Sequence, residues 1–294
     1  MNEAIQQTVN ALSLGSTYAL LALGLAMVFS ILGLINFAHG ELVTIGGYTM
    51  WWLFNKGLPW PLVIVLTLAV TTASAVLMER IAFRPLRGAS LVTLLITSFA
   101  LSFFIQTAFQ IFVSAEPQGI KVPDWTDQTI HVGSTAIAAV KLVTAGVTLT
   151  SVFLLTVFLR RTLLGISMRA AAEDFDVVRL MGVRADGVVI AAFALSGLLA
   201  GVAALLYFAA RPAVDAGTGT PLVINAFIGV ILGGLGNLRG AVVGGFVLGL
   251  ATSLLQANLQ GGVTQFSDAF ALLIVIGLLL LRPQGLVGRS AGLT

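Results

Sequence analysis

The chain has 294 residues, of which 58% are hydrophobic and only 9% are charged, and its net charge is +3. Because soluble domains carry about 25% charged residues, this composition excludes an ordinary soluble protein. Cysteine is absent, which excludes disulfides, and the basic residues form no patch for nucleic acid. We predict an all-α, polytopic transmembrane bundle that forms a single domain over residues 1–294.

Apolar runs follow one another along the chain, and most approach the length of about 20 residues that crosses a bilayer as a helix. The second run is short and carries Thr44, Gly46 and Gly47, so we expect it to be tilted, or broken and buried in protein. The region 221–281 holds three runs, at 222–235, 241–255 and 266–281. The chain has nine spans if all three are full crossings, and eight if two of them merge as re-entrant or half-helices. The runs lie at about 9–35, 41–55, 61–79, 90–113, 141–159, 188–209, 222–238 and 241–281, the last divided into 241–255 and 266–281.

The basic residues predict an orientation for these spans. If each run is a crossing, eleven of the 15 lysines and arginines fall on one side of the membrane and four on the other. The positive-inside rule then places the N-terminus outside and the C-terminus in the cytoplasm. The minority group is Lys56, Lys121, Lys141 and Arg211.

The longest charged stretch, residues 160–187, separates two apolar runs. Within it, Ala171, Phe175 and Val178 recur at spacings of four and three, which predicts one amphipathic helix from about Met168 to Met181. A charged segment with an apolar stripe either lies on lipid headgroups or docks a soluble partner. Acidic residues in its middle favour docking over an anionic membrane surface.

Two residues mark the expected boundaries of this segment. Gly182 follows the periodic stretch, and glycine is the usual residue that ends a helix. Asp186 precedes the next apolar run and is predicted to be its N-cap. The segment is therefore expected to be folded rather than a loose loop.

Catalytic and cofactor motifs are absent from the sequence. It contains no GxxxxGK[ST] nucleotide loop, no HExxH and no GxSxG, and its two histidines, His39 and His131, are far apart. We therefore predict no catalytic residues, no metal site and no cofactor in this chain, and we do not expect an enzyme. Any energy for transport would come from a partner.

Uncharged polar residues are the candidates for a solute path. His39 lies beside Asn36 and Glu41 at a span boundary, which is either a polar turn at a helix end or a gate contact. Each polar residue within a span is either a contact between helices or a contact with solute. The candidates for the path or its gate are Asn36, His39, Thr44, Gln106, Gln110, Asn225 and Asn237.

Four motifs together resemble one family, the LivH-type permeases of branched-chain amino-acid ABC transporters. The charged segment RAAAEDFDVVRLMGV is similar to the cytoplasmic coupling loop of that family. INFAHGELVTIGGY resembles the segment after its first helix, ERIAFRPLRG its first inner loop, and GGLGNLRGAVVGG its glycine turn near the end. The match extends over most of the chain in the expected order.

The resemblance implies a larger machine in the bacterial inner membrane. It implies a second LivH- or LivM-like permease, two cytoplasmic ATP-binding subunits that dock on the coupling loop at 160–187, and a periplasmic solute-binding protein. By the same resemblance, the ATPase contacts are Arg169, Glu173, Asp174, Asp176, Arg179 and Gly182.

The cargo stays open at this stage. Branched-chain amino acids are implied first, but importers of urea and short-chain amides resemble the same family. A standalone channel or secondary carrier is the alternative of another class.

Overall fold

The computed structural model describes residues 2–132, 135–259 and 266–287, and in these ranges the chain is a bundle of helices with short strands at one end. The helices are α1 (Asn2–Leu32), α2 (His39–Asn55), α3 (Trp60–Met78), α4 (Leu91–Phe112), α5 (Ala139–Arg161), α6 (Leu163–Glu173), α7 (Phe175–Leu180), α8 (Ala185–Ala210), α9 (Gly219–Gly233), α10 (Leu238–Asn258) and α11 (Ser267–Leu281). The strands are β1 (Gln118–Gly119), β2 (Thr129–Val132), β3 (Thr135–Ala138) and β4 (Ala213–Val214).

The apolar helices confirm the predicted membrane bundle. In the described part of the chain, six helices are long and apolar enough to cross a membrane: α1, α3, α4, α5, α8 and α10. The helix α3 reaches this length because a π-helical turn and a 3-10 turn continue it to Leu86. The helices α2, α9 and α11 have 17, 15 and 15 residues, which is short of a full crossing at 1.5 Å per residue.

The helix α1 lies at the centre of the bundle, because its residues from Thr17 to Val28 are buried. The helix α10 packs directly on it, and glycine allows this close approach. A Cβ added to Gly245 would lie 2.6 Å from the backbone of Ala19, and one added to Gly249 would lie 2.2 Å from Gly15. Small residues at four-residue spacing thus bring two helix backbones together, as they commonly do in membrane proteins.

One end of the bundle collects arginines, and we call it the arginine-rich end; it holds the ends of α1, α3 and α5 and the starts of α4, α8 and α10. Here Arg87 bonds both Asp186 and Glu79, whose side chain is fully buried, while Arg84 lies 3.3 Å from Asp186. The prediction that Asp186 is an N-cap is wrong. The helix α8 begins at Ala185, and the carboxylate of Asp186, in its first turn, binds two guanidinium groups instead.

The opposite end of the bundle carries the strands. The strand β1 pairs antiparallel with β4, and β2 pairs with β3 in a second two-stranded sheet. Near this end, the ring of Trp60 contacts the rings of both Phe54 and Trp125. Lys141 donates to Asn10 at 2.5 Å, which joins the starts of α5 and α1.

The charged segment contains two helices rather than one. The helix predicted at 168–181 starts earlier, at Leu163, and is interrupted at Asp174, which has an extended backbone with φ −153° and ψ 105°. The Oδ1 atom of Asp174 accepts from the backbone N–H of Val177 at 3.0 Å, so this side chain caps α7 and competes with a continuous helix. The predicted stop is confirmed, since Gly182 follows α7 with φ +80°.

Candidate functional site

The connection between α1 and α2 lies inside the bundle. Residues 33–38 are not helical, so their backbone groups need partners where water is absent. Ser98, in the second turn of α4, supplies two of them: its hydroxyl accepts from Phe37 N at 3.2 Å and lies 3.2 Å from the carbonyl oxygen of Ile35, to which it can donate. The helix α2 therefore starts within the protein interior instead of at its surface.

The helix α9 starts beside the start of α2. A Cβ added to Gly40 would lie 2.3 Å from the carbonyl oxygen of Gly219, and the reverse distance is 2.2 Å. Thr44 fixes the contact by accepting from Gly219 N at 3.0 Å. Two short helices thus begin side by side inside the bundle, an arrangement that transporters use at their solute sites.

A buried carboxylate lies at this junction, and we call its surroundings the Glu41 cluster: Glu41, Thr44, Ser102, Gln106 and Thr220. Glu41 is 0% exposed. Its Oε1 accepts from Ser102 and Gln106 at 2.8 Å each and from Thr220 at 3.4 Å. An acidic side chain at the centre of a membrane helix costs about 3 kcal/mol, so an acidic residue here indicates a function.

The second oxygen of this carboxylate is unsatisfied. Among the described residues, Glu41 Oε2 has no hydrogen-bond partner, and no Lys or Arg pairs with Glu41. The cluster also reaches the outer surface of the chain, because Gln106 and Thr220 are only half-buried. The Glu41 cluster therefore joins a buried acceptor to the surface between α4 and α9.

His39 lies on the other side of α2. Its Nδ1 is 3.1 Å from Ser196 Oγ on α8, and its ring packs against Gly24 of α1. Asn36 is 2% exposed and lies in the non-helical connection, where its carbonyl oxygen accepts from His39 N at 3.2 Å. His39 thus holds the start of α2 against α1 and α8, and the backbone of Asn36 closes the turn that leads into α2.

The remaining predicted path residues are spread along the bundle. Thr44 and Gln106 belong to the Glu41 cluster, and Gln110 is exposed one turn beyond Gln106 on α4. Asn225 Nδ2 donates to the hydroxyl of Tyr18 at 3.1 Å, which joins α9 to α1. Asn237 lies at the start of α10, at the arginine-rich end of the bundle, and is not part of the Glu41 cluster. The path roles of all these residues stay predictions.

Three members of the Glu41 cluster were absent from the predicted path: Glu41, Ser102 and Thr220. Glu41 carried a usable signal, since an acidic residue near the start of an apolar run marks a functional site by default. Ser102 stands one turn before Gln106 on α4, so the same helix face contained it. Nothing in the sequence signalled Thr220, because its place follows from the contact between α2 and α9.

Asn237 has a structural contact that can be tested directly. Its Oδ1 accepts from the N–H groups of Arg239 and Gly240 at 3.1 Å each, so it caps α10, and its Nδ2 donates to Val287 O at 3.0 Å. We expect Asn237→Ala to lower stability by about 1 kcal/mol, because a cap is lost. Asn237→Asp, which keeps the acceptor, is the matched control. Thermal unfolding of both purified variants is the measurement, and equal midpoints would contradict the capping role.

The α6–α7 segment, residues 163–180, is bound to the bundle on one face only. Met168, Ala171 and Val178 are buried, and Arg169 Nε donates to the carbonyl oxygen of Leu159 at the end of α5, at 2.9 Å. On its free side, Leu180 is 87% exposed, and Met181, just beyond the segment, is 78% exposed.

The charged residues of the segment include the predicted ATPase contacts. Glu173, Asp174 and Arg179 are exposed, and Gly182 ends α7. The side chain of Asp176 is outside the described part of the structure. The segment therefore presents both charge and apolar surface beyond the arginine-rich end, and its ATPase contacts stay predictions.

Comparison with known proteins assigns the family. A family model described as "Branched-chain amino acid transport system / permease component" matches residues 7–280. The chain belongs to this family. The permease is 34% identical to the high-affinity branched-chain amino acid transport system permease protein BraD of Pseudomonas aeruginosa, and 32% identical to LivH of Escherichia coli K12. Both alignments cover 97% of this chain and 96% of the relative.

A more distant relative extends the same pattern. The probable branched-chain amino acid transport permease protein LivH of Methanocaldococcus jannaschii is 27% identical, over 92% of this chain and 88% of its own length. No solved structure matches the chain. These relatives are transport permeases rather than enzymes, and together with the apolar helices they identify a multi-pass membrane permease.

Proposed function

We propose that this chain is the membrane-spanning permease subunit of an ATP-binding cassette importer that carries branched-chain amino acids across the bacterial inner membrane. BraD and LivH, which align with nearly the whole chain, are both named as permeases of branched-chain amino acid transport systems, and this supports the cargo. The observation that carries the transport role is the Glu41 cluster, because it places polar groups from α2, α4 and α9 where two short helices begin inside the bundle.

The solute path runs along the surface between α4 and α9. Gln106 and Thr220 are half-buried there, and Gln110 is exposed, although most neighbouring positions on α4 are apolar. Polar side chains on lipid-facing surface lose their hydrogen bonds, so a second permease subunit covers this surface and the path lies between the two. His39 then acts by holding α2 against α1 and α8.

The arginine-rich end faces the cytoplasm, and so does the C-terminus. Five arginines of the 160–187 stretch and those around Arg84 lie there, which the positive-inside rule favours. Two ATP-binding subunits dock on the α6–α7 segment of this chain and on the matching segment of the second permease. They hydrolyse ATP, and this chain carries out no reaction itself. The opposite end carries Lys141 and Arg211 beside a cleft of about 350 Å³, and there a periplasmic binding protein delivers the solute.

Reconstitution tests this function. The chain, its second permease and the ATPase subunits are placed in proteoliposomes, and uptake of labelled L-leucine is measured with the binding protein outside. We expect uptake only when ATP is on the ATPase side. Labelled urea and acetamide should not enter, and their uptake in place of leucine would change the cargo. Leucine uptake by this chain alone, without ATPase subunits, would replace the importer with a standalone carrier.

A further inference from the structure

The Glu41 carboxylate is built as half of a binding site. One oxygen is saturated by Ser102, Gln106 and Thr220, so its position is fixed by two other helices. The other oxygen, Oε2, is buried and has no partner among the described residues. A buried carboxylate oxygen in this state has lost its hydration, and a hydrogen-bond donor that arrives at Oε2 offsets this cost.

The neighbours of Glu41 show which donor is missing. Its protein partners are the hydroxyls of Ser102, Thr220 and Thr44 and the amide of Gln106, all of them uncharged. The nearest histidine, His39, faces the opposite side of α2 and contacts α8. Within residues 2–132, 135–259 and 266–287, the carboxylate is not paired with a cationic side chain. The complementary partner is therefore a cation that donates hydrogen bonds.

We propose that Glu41 Oε2 binds the α-ammonium group of the transported amino acid. This inference rests on the proposed import of amino acids and deepens it, because it assigns the residue that selects a zwitterion over a neutral amide. Gln106 and Thr220 border both the carboxylate and the surface between α4 and α9, and they bond each other at 2.7 Å, so the ammonium group reaches Oε2 past these two side chains. The hydrophobic side chain of the amino acid then stays in the path.

The substitution Glu41→Gln separates this role from a structural one. Gln keeps an acceptor for Ser102 and Gln106 but removes the charge and places an NH₂ group at the Oε2 position. A carboxylate that only joins the helices predicts little change. Ammonium binding predicts that ATP-dependent leucine uptake falls at least about tenfold, since one partner of a buried charge pair is lost. Glu41→Asp should retain more uptake than Glu41→Gln, because it retains the charge.

The control is Glu116→Gln, which makes the same chemical change at an exposed carboxylate. Its uptake and its basal ATP hydrolysis should equal those of the wild type. If wild-type complexes import leucine and Glu41→Gln imports it equally well, the ammonium site is wrong and the importer function stands. If wild-type complexes import no branched-chain amino acid, the proposed function itself fails.

A measurement on the wild type covers the case in which Glu41→Gln does not assemble. Labelled L-leucine is bound to the purified membrane complex without the binding protein, and two analogues compete for it. We expect 3-methylbutylamine, which keeps the ammonium group and lacks the carboxylate, to displace leucine. The matched acid 4-methylpentanoate, which lacks the ammonium group, should not. Displacement by the acid to the same extent as by the amine would overturn the proposal.

Discussion

Replacing Leu180 and Met181 together by aspartate is expected to abolish ATP-driven uptake while the permease still inserts in the membrane. The two side chains are 87% and 78% exposed at the end of the α6–α7 segment, so the isolated fold does not need them. Burying such a side chain against a partner contributes about 1.5–3 kcal/mol. Losing both, and adding two charges, should weaken ATPase association by about a hundredfold or more.

Co-purification of the ATPase subunits with the tagged permease is the measurement, followed by leucine uptake in proteoliposomes. The matched control is Leu235→Asp, since Leu235 is a 52% exposed leucine at the same end of the bundle but outside the α6–α7 segment. The control should retain its ATPase subunits. Normal ATPase binding by the double aspartate variant would show that this segment is not the docking surface.

The pair Glu173→Ala and Arg179→Ala tests the charged part of the same surface. Both side chains are exposed. We expect this double variant to lower coupled uptake less than the aspartate pair does, because exposed charge contacts contribute about 1 kcal/mol or less each. The same co-purification and uptake assays measure it, and a loss larger than that of the aspartate pair would place the docking energy in the charges.

The long helices follow from the sequence because each depends on a local property. Apolar runs predicted α3, α4, α5, α8 and α10 to within about three residues, and Gly182 predicted the end of α7. The helix α1 begins at Asn2, earlier than the predicted start at about residue 9. The break at Asp174 was not predicted, since an acidic residue fits the early turns of a helix as well as it fits a cap. The choice depends on how α6 and α7 pack on the bundle, which periodicity does not report.

The site was predictable only in part, for a similar reason. Thr44 and Gln106 stood out as polar residues inside apolar runs, and both belong to the Glu41 cluster. Thr220 precedes its apolar run and gave no signal. It reaches Glu41 because Gly40 and Gly219 let α2 and α9 meet, a contact between residues 179 positions apart along the chain. Such a contact leaves no trace in the local pattern of a single sequence.

The same pair of glycines leads to the second large expected effect. Adding one methyl group at Gly40 should separate α2 from α9, because the Cβ would lie 2.3 Å from Gly219 O and 2.9 Å from the Val223 side chain. The carbonyl oxygen belongs to backbone and has no alternative rotamer. Overpacking of this kind costs about 1–3 kcal/mol, so Gly40→Ala should lower the thermal midpoint of the purified permease by several degrees.

Uptake should fall further than the loss of stability alone implies. The bond from Gly219 N to Thr44 and the bond from Thr220 to Glu41 both span the α2–α9 contact, so separating the helices disperses the Glu41 cluster. The matched control is Gly146→Ala on α5, where an added Cβ meets nothing within 4 Å in the described ranges. Alanine also favours a helix over glycine, so this control should keep or slightly raise the midpoint.

Thermal unfolding and ATP-driven leucine uptake, measured on both variants at equal protein amounts, decide the matter. Because a fraction of Gly40→Ala permease still folds at low temperature, its uptake per folded molecule reports the geometry of the Glu41 cluster separately from stability. Wild-type uptake per folded molecule, with a lowered midpoint, would mean that the contact between α2 and α9 supports the fold but not transport. A wild-type midpoint would mean that the two helices do not approach as closely as their glycines allow.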